Sequence, residues 1–246
     1  MEQMITDNPA ARTLRVLKEI DEMHGTNDAK KAWGQALGVD STDEGTLLIR
    51  LGQFIAMPAE AVELMNQKFP ALKSQATTWH HKLMSALTRQ SLSSQISTFT
   101  TNYSGSANNF LEVMDQMLAL SSPPQLDQSV IADFQNTLED LINDVKSRDL
   151  ELKVKEYLVK SLRRIVSSLD DYYFSGVVPV MESIEIVAGH MFTDSQFKES
   201  LPSDLGNKLF SVLGAVADGI SIATGAPPSL WNQLGQSIQA LLPQGN

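Results

Sequence analysis

Apolar residues return every three or four positions along most of the chain, the period of an amphipathic α-helix. Asn8-Pro9 starts the first helix, since Asn caps free backbone N–H groups and Pro suits the first turn. Leu14, Leu17 and Ile20 share its inner face, Val16 and Met23 flank it, and Gly25 is its expected stop. A short helix follows, predicted to be capped by Asn27, with Trp33 and Leu37 inward and Gly38 at its end. Residues 42–69 carry Leu47, Leu48, Leu51, Phe54, Ile55, Val62, Leu64 and Met65, and Pro58 is expected to kink or divide them. Pro70 opens a helix with Leu72, Trp79, Leu83 and Leu87. From 91 to 109 Ser, Thr and Asn dominate. This predicts a short weak helix, a loop around Tyr103-Ser104-Gly105 and a cap at Ser106. Phe110, Leu111, Met114, Met117 and Leu118 form the helix after it, and Pro123-Pro124 end it.

The clearest periodicity comes next. Ile131, Phe134, Leu138, Leu141 and Val145 run at steps of three and four, and so do Leu158, Leu162, Ile165, Leu169 and Tyr172. The break at Ser147-Arg148-Asp149 joins the two stripes into an antiparallel helical hairpin, at about 127–147 and 149–175. Gly176 ends it. A further helix spans about Val177 to Phe192, with Val180, Met181, Ile184, Val187 and Met191 apolar and Glu182 and Glu185 outward. Ser203 or Asp204 caps the next, and Pro227-Pro228 begin a last one with Leu230, Trp231, Leu234, Ile238 and Leu241. No segment alternates as a strand does. The fold class is therefore all-α, a multi-helix bundle around the central hairpin. The division expected is a bundle domain over 1–192 and a C-terminal apolar helix pair over 203–246, packed on or loosely attached to the bundle, with the polar stretch 193–202 between them. Pro123-Pro124 is the nearest thing to an internal seam.

Composition fits a globular chain of 246 residues, with 42% apolar and 20% charged. The 19 basic and 29 acidic residues give a net charge of −10, so the overall field repels nucleic acid. The absence of cysteine removes disulfides and thiolate chemistry. The start MEQMITDNPAART lacks the basic and apolar regions of a secretory signal, so a cytoplasmic location is expected.

Catalytic constellations are scarce. His24, His80, His81 and His190 have no Glu three positions before them, as di-iron bundles require. His80 and His81 are adjacent and diverge by about 100° on a helix. Gly214 and Gly219 resemble a phosphate loop in spacing but lack its lysine, and no Gly-x-Ser-x-Gly elbow occurs. No cofactor is expected. An enzymatic alternative would rest on Asp170, Asp171, Glu182 and His190, which have no motif linking them.

Two segments stand out. One is the basic stripe Lys153, Lys160, Arg163 and Arg164. It is read either as a solvated face paired with Glu151, Glu156 or other acids, or as a docking stripe for an acidic partner. The other is LFSVLGAVADGISIATGA at 209–226, with Asp218 as its single charge. Its small residues allow close helix packing. A spanning helix needs about 20 apolar residues, and a central Asp costs about 2.5–3.5 kcal/mol on insertion. Leu209, Phe210, Val212, Leu213, Val216, Ile220 and Ile222 therefore form either a packed core helix or, in the alternative, a membrane-contacting segment.

Two stretches, ARTLRVLKEIDEMHGTNDAKKAWGQALGV with DEGTLLIRLGQFIAM, and DLELKVKEYLVKSLRRIVSSLDDYYFSGVVPVMESIEIVAGHMF, resemble a group of bacterial all-helical proteins for which no activity is established. The likeness covers residues 10–192. It implies a helical fold and a setting among accessory and mobile-element genes, where partner-binding and defence roles are common. It carries no catalytic residues. The function expected is a non-enzymatic, cytoplasmic protein-interaction module, of an immunity, antitoxin-like or assembly kind. Its partners are another protein or a second copy, and not nucleic acid. The alternative is a membrane-acting effector using 209–226.

Overall fold

The computed structural model describes residues 6–23, 27–194, 197 and 200–224, except for the side chains of 191–193 and 222–224. Gly25, His24 and the helix expected after Pro227 lie outside them. The described residues are all-α. The helices are α1 (Pro9–Asp21), α2 (Ala29–Ala36), α3 (Glu44–Lys68), α4 (Lys73–Arg89), α5 (Ser97–Thr100) and α6 (Asn108–Ala119). They continue as α7 (Gln128–Ser147), α8 (Leu152–Asp170), α9 (Tyr172–Ser175), α10 (Val178–Thr193) and α11 (Ser203–Thr224).

The chain divides into two compact units at Ser122/Pro123. The division thus falls at the Pro-Pro break rather than after residue 192. Residues 203–221 pack into the second unit's core: Leu205, Leu209, Leu213, Val216 and Ile220 are buried among side chains of α7, α8 and α10.

In the first unit α1 packs on α3 and α6, and α3 packs on α4. Asn8 caps α1 as expected, its Oδ1 accepting from the Ala11 amide at 2.9 Å. Its Nδ2 donates to Thr6 and to Asp115 of α6, so one side chain both starts a helix and ties it to another. Asp28, not Asn27, caps α2 by accepting from the Lys31 amide. The Asn27 carbonyl is occupied by the Ile96 amide, in a bridge that pairs Asp28 with Gln95 and moves the cap one residue on. Pro58 does not divide α3, which runs unbroken through it. Its ring lies on the buried face with Phe54, Met57, Ala61 and Met65, where packing offsets the one lost backbone hydrogen bond.

This core is aromatic. The Trp33 ring centroid lies 5.3 Å from Phe54 and 5.2 Å from Phe99, edge-on to the latter. Trp33 Nε1 donates to Gln90 Oε1 at 2.6 Å. Tyr103 lies in a loop as expected, and its side chain is fully buried. Its hydroxyl accepts from Trp79 Nε1 at 3.1 Å and donates to Asn108 Oδ1 at 2.9 Å, and Asn108 Nδ2 donates to Asp21. Ser106 caps nothing: α6 has no side-chain cap, and Ser106 Oγ instead meets Ser104 Oγ. Met57, Met65 and Met114 fill the gaps with at most 1% exposure.

The second unit is built on the hairpin. α7 and α8 form its most extensive helix contact, and Ile131, Leu138, Leu141 and Val145 face Leu158, Leu162, Ile165 and Leu169 in one aliphatic core. The Tyr172 hydroxyl accepts from the Leu126 amide at 2.8 Å and so pins the approach to α7. The small residues of α11 let it close on α7: a Cβ on Gly219 would stand 2.5 Å from Phe134 Cζ. Ser203 and Asp204 both lie inside the first turn of α11 rather than capping it.

Gly176 ends α9 with φ 73° and ψ −167°, a region open essentially to glycine alone. Gly176→Val is expected to destabilise the second unit by about 2 kcal/mol. Chemical denaturation followed by circular dichroism would register this as a lower midpoint at unchanged slope.

A charged clamp joins the end of α7 to the start of α11. Asp144 accepts from Arg148 Nε at 3.0 Å and from Lys208 Nζ at 2.7 Å, and Arg148 also reaches Asp204. These hydrogen bonds hold the Asp144 carboxyl down at about 2. An acid whose folded pKa is depressed adds stability above its unfolded pKa and loses it as pH falls towards the folded value. The clamp is therefore expected to weaken between about pH 4 and pH 2. Melting wild type and Asp144→Asn across that range should show their midpoints converging. A gap that stays constant down to the lowest pH would contradict the assignment.

Candidate interaction surface

α8 is amphipathic by spacing alone. At about 100° per residue, Val154, Leu158, Leu162, Ile165 and Leu169 fall on one side and are buried. Lys153, Glu156, Lys160, Arg163, Arg164 and Ser167 fall on the other and are exposed. The structure thus brings all four predicted cations to one outer face. The acids suggested as their partners do not engage them: among the described residues, none of Lys153, Lys160, Arg163 and Arg164 has a carboxylate within 4 Å. Lys155, on the flank, instead donates to the Lys146 carbonyl. The face carries a surplus of positive charge in a chain of net charge −10.

Beside it runs α10. Ser168 and Ser183 hydroxyls meet at 3.1 Å near one end, and the Tyr157 and His190 ring centroids lie 4.1 Å apart, tilted by 33°, near the other. Residue numbers rise on one helix as they fall on the next, so the pair is antiparallel. The outer face of α10 presents Glu182 and Glu185 between two exposed apolar side chains, Val178 at 61% and Ile186 at 49%. Acidic and apolar groups therefore flank the cationic stripe on the same unit.

The second predicted segment has a different role. Leu209, Leu213, Val216 and Ile220 are buried, and Phe210 and Val212 pack partly against the same core. The Ile222 side chain lies outside the described residues. Among the described residues no helix is long and apolar enough to cross a membrane.

Of the residues of the enzymatic alternative, Asp170, Asp171 and Glu182 lie near the Ser168–Ser183 contact and His190 lies at the other end of the helix pair. Asp170 accepts from Gln135 at 2.7 Å. The His190 ring packs against Tyr157 at a tilt, and its Nε2 lies 3.8 Å from Asp194 Oδ2. Tyr157 and Asp170 stand 13 positions apart on α8, or roughly 20 Å, so His190 and Asp170 sit near opposite ends of the helix pair. Among the described residues no three His, Asp or Glu side chains gather as metal ligands would.

Two features escaped sequence reasoning. The Trp79–Tyr103–Asn108–Asp21 chain is one. Its hydroxyl is doubly engaged, and burial pushes the Tyr103 phenol far above its ordinary range, so it positions the polypeptide and supplies no nucleophile. The other is a groove of about 520 Å³ between α3 and α4, lined by Ala59, Val62, Glu63, Asn66, Gln67 and His80. Burial, and then the neighbouring His81, lowers the His80 pKa. Of the groove's lining, Asn66 Oδ1 is buried and has no hydrogen-bond partner among the described residues. No local pattern announces the polar chain, which joins Asn108 to Asp21 across 87 positions, whereas the groove is one face of α3 closed by His80 of α4.

Comparison with protein-family profiles, curated proteins and solved structures gives no match.

Proposed function

We propose that the chain is a non-enzymatic protein-interaction module that docks an acidic protein surface on the outer face of α8. The observation carrying this reading is the stripe of Lys153, Lys160, Arg163 and Arg164, exposed together and without a carboxylate partner among the described residues. Cations that the fold leaves unneutralised steer association and select partners more than they stabilise the fold. A helix face of this kind, on a rigid hairpin, suits the immunity-type or assembly role implied by the sequence resemblance.

In-cell photocrosslinking tests it. A photoreactive residue at Ser167, on the cationic face, is expected to give a discrete protein adduct, and one at Ser93 in the first unit is not. Lys160→Glu/Arg163→Glu/Arg164→Glu should remove the adduct while leaving the melting curve in place, because all three side chains are exposed. An adduct that survives the triple reversal, or equal labelling from Ser93, would refute the assignment.

A further inference from the structure

We infer that the acidic surface met by α8 is the α10 face of a second copy of this chain, in a two-fold dimer; this rests on the reading of α8 as a docking face. The register of the two helices carries the inference. The Ser168–Ser183 and Tyr157–His190 contacts place Arg163 and Arg164 level with Glu185 and Ile186 across the antiparallel pair. A two-fold axis parallel to the helices, lying outside the chain and opposite the line between them, exchanges their order without shifting anything along their length. α8 of one copy then lies over α10 of the other at the same height. Arg163 and Arg164 of each copy face Glu185 of its mate, with Glu182 one turn away. Val178 and Ile186, both exposed in the single chain, are covered in the same step. The surface is self-complementary in sign and in position, as an isologous interface must be.

Its size sets the affinity class. α8 and α10 are roughly 25 Å long and pack about 10 Å apart, so the shared face is roughly 500 Å² per copy. That falls at the small end for specific interfaces and fits a dimer that forms at micromolar concentration and depends on salt.

Sedimentation velocity on the full chain tests the proposal. At about 50 mM salt the protein should shift from monomer to dimer as concentration rises to about 100 µM, and at about 500 mM salt the shift should fade. Arg163→Glu/Arg164→Glu and, separately, Glu182→Lys/Glu185→Lys should each weaken self-association at least about tenfold. Mixed together, these two variants should form a heterodimer, since each supplies the sign the other lacks. The quadruple variant, with both faces exchanged, should dimerise again by itself. A strict monomer at low salt, or a dimer indifferent to both reversals, overturns the inference. If the pure chain stays monomeric while the Ser167 adduct with another protein persists, the self-association fails and the docking role of α8 stands. If that adduct is absent as well, both fail.

Discussion

Leu162→Asp is expected to unfold the second unit. Leu162 is fully buried at the middle of α8, within the aliphatic cluster that unites α7, α8, α10 and α11. Losing its apolar burial costs about 2–3 kcal/mol, and an unpaired carboxylate among methyl groups costs several more. The sum is comparable to the whole stability of a typical domain, about 5–15 kcal/mol. Trp33 and Trp79 both belong to the first unit, so their emission follows that unit alone once Trp231 is replaced by Phe. The expected result is loss of about half the helical ellipticity with the blue-shifted emission of Trp33 and Trp79 retained. A variant that melts within a few degrees of wild type would show that Leu162 does not face the core.

Trp33→Ala should have the largest effect in the first unit. The indole is fully buried, touches the rings of Phe54 and Phe99, and holds Gln90 through its N–H. Truncation to Ala in such a site costs about 3–5 kcal/mol, from lost burial and the cavity left behind. It also leaves the Gln90 carbonyl without its donor. For a unit of this size the melting midpoint should fall on the order of 15 °C, by calorimetry. Trp33→Phe keeps most of the ring contact and loses only the hydrogen bond, so it should sit between the two. Equal midpoints for Ala and Phe would mean that the aromatic cluster contributes little.

The hairpin was legible in the sequence because its information is local. Every residue of the α8 stripe lies where a 3.6-residue period puts it, and the four cations follow from the same period. The caps show where locality stops. Asn27 and Asp28 are equally good capping residues on paper, but the bridge from Asp28 to Gln95, 67 positions away, decides that Asp28 and not Asn27 caps α2. Tyr103 sits in a run of Ser, Thr and Asn that reads as surface. Its burial comes from Trp79 and Asn108, which only folding brings to it. The unit boundary was misplaced for a related reason. The polar stretch after residue 192 looks like a linker, whereas the fold is decided by where α11 finds an apolar partner. For the candidate surface, composition located the cations. Their lack of carboxylate partners is a matter of side-chain reach, and spacing alone does not report it.

The methionines of the first unit have a practical consequence. With no thiol in the chain, sulfur oxidation by peroxide falls entirely on thioethers. Met57, Met65 and Met114 are shielded to within 1% of full burial, so an oxidant reaches them only when that core opens. Mass shifts at these three positions, followed over hours in dilute peroxide, would time the opening of the first unit in intact cells, without any added label.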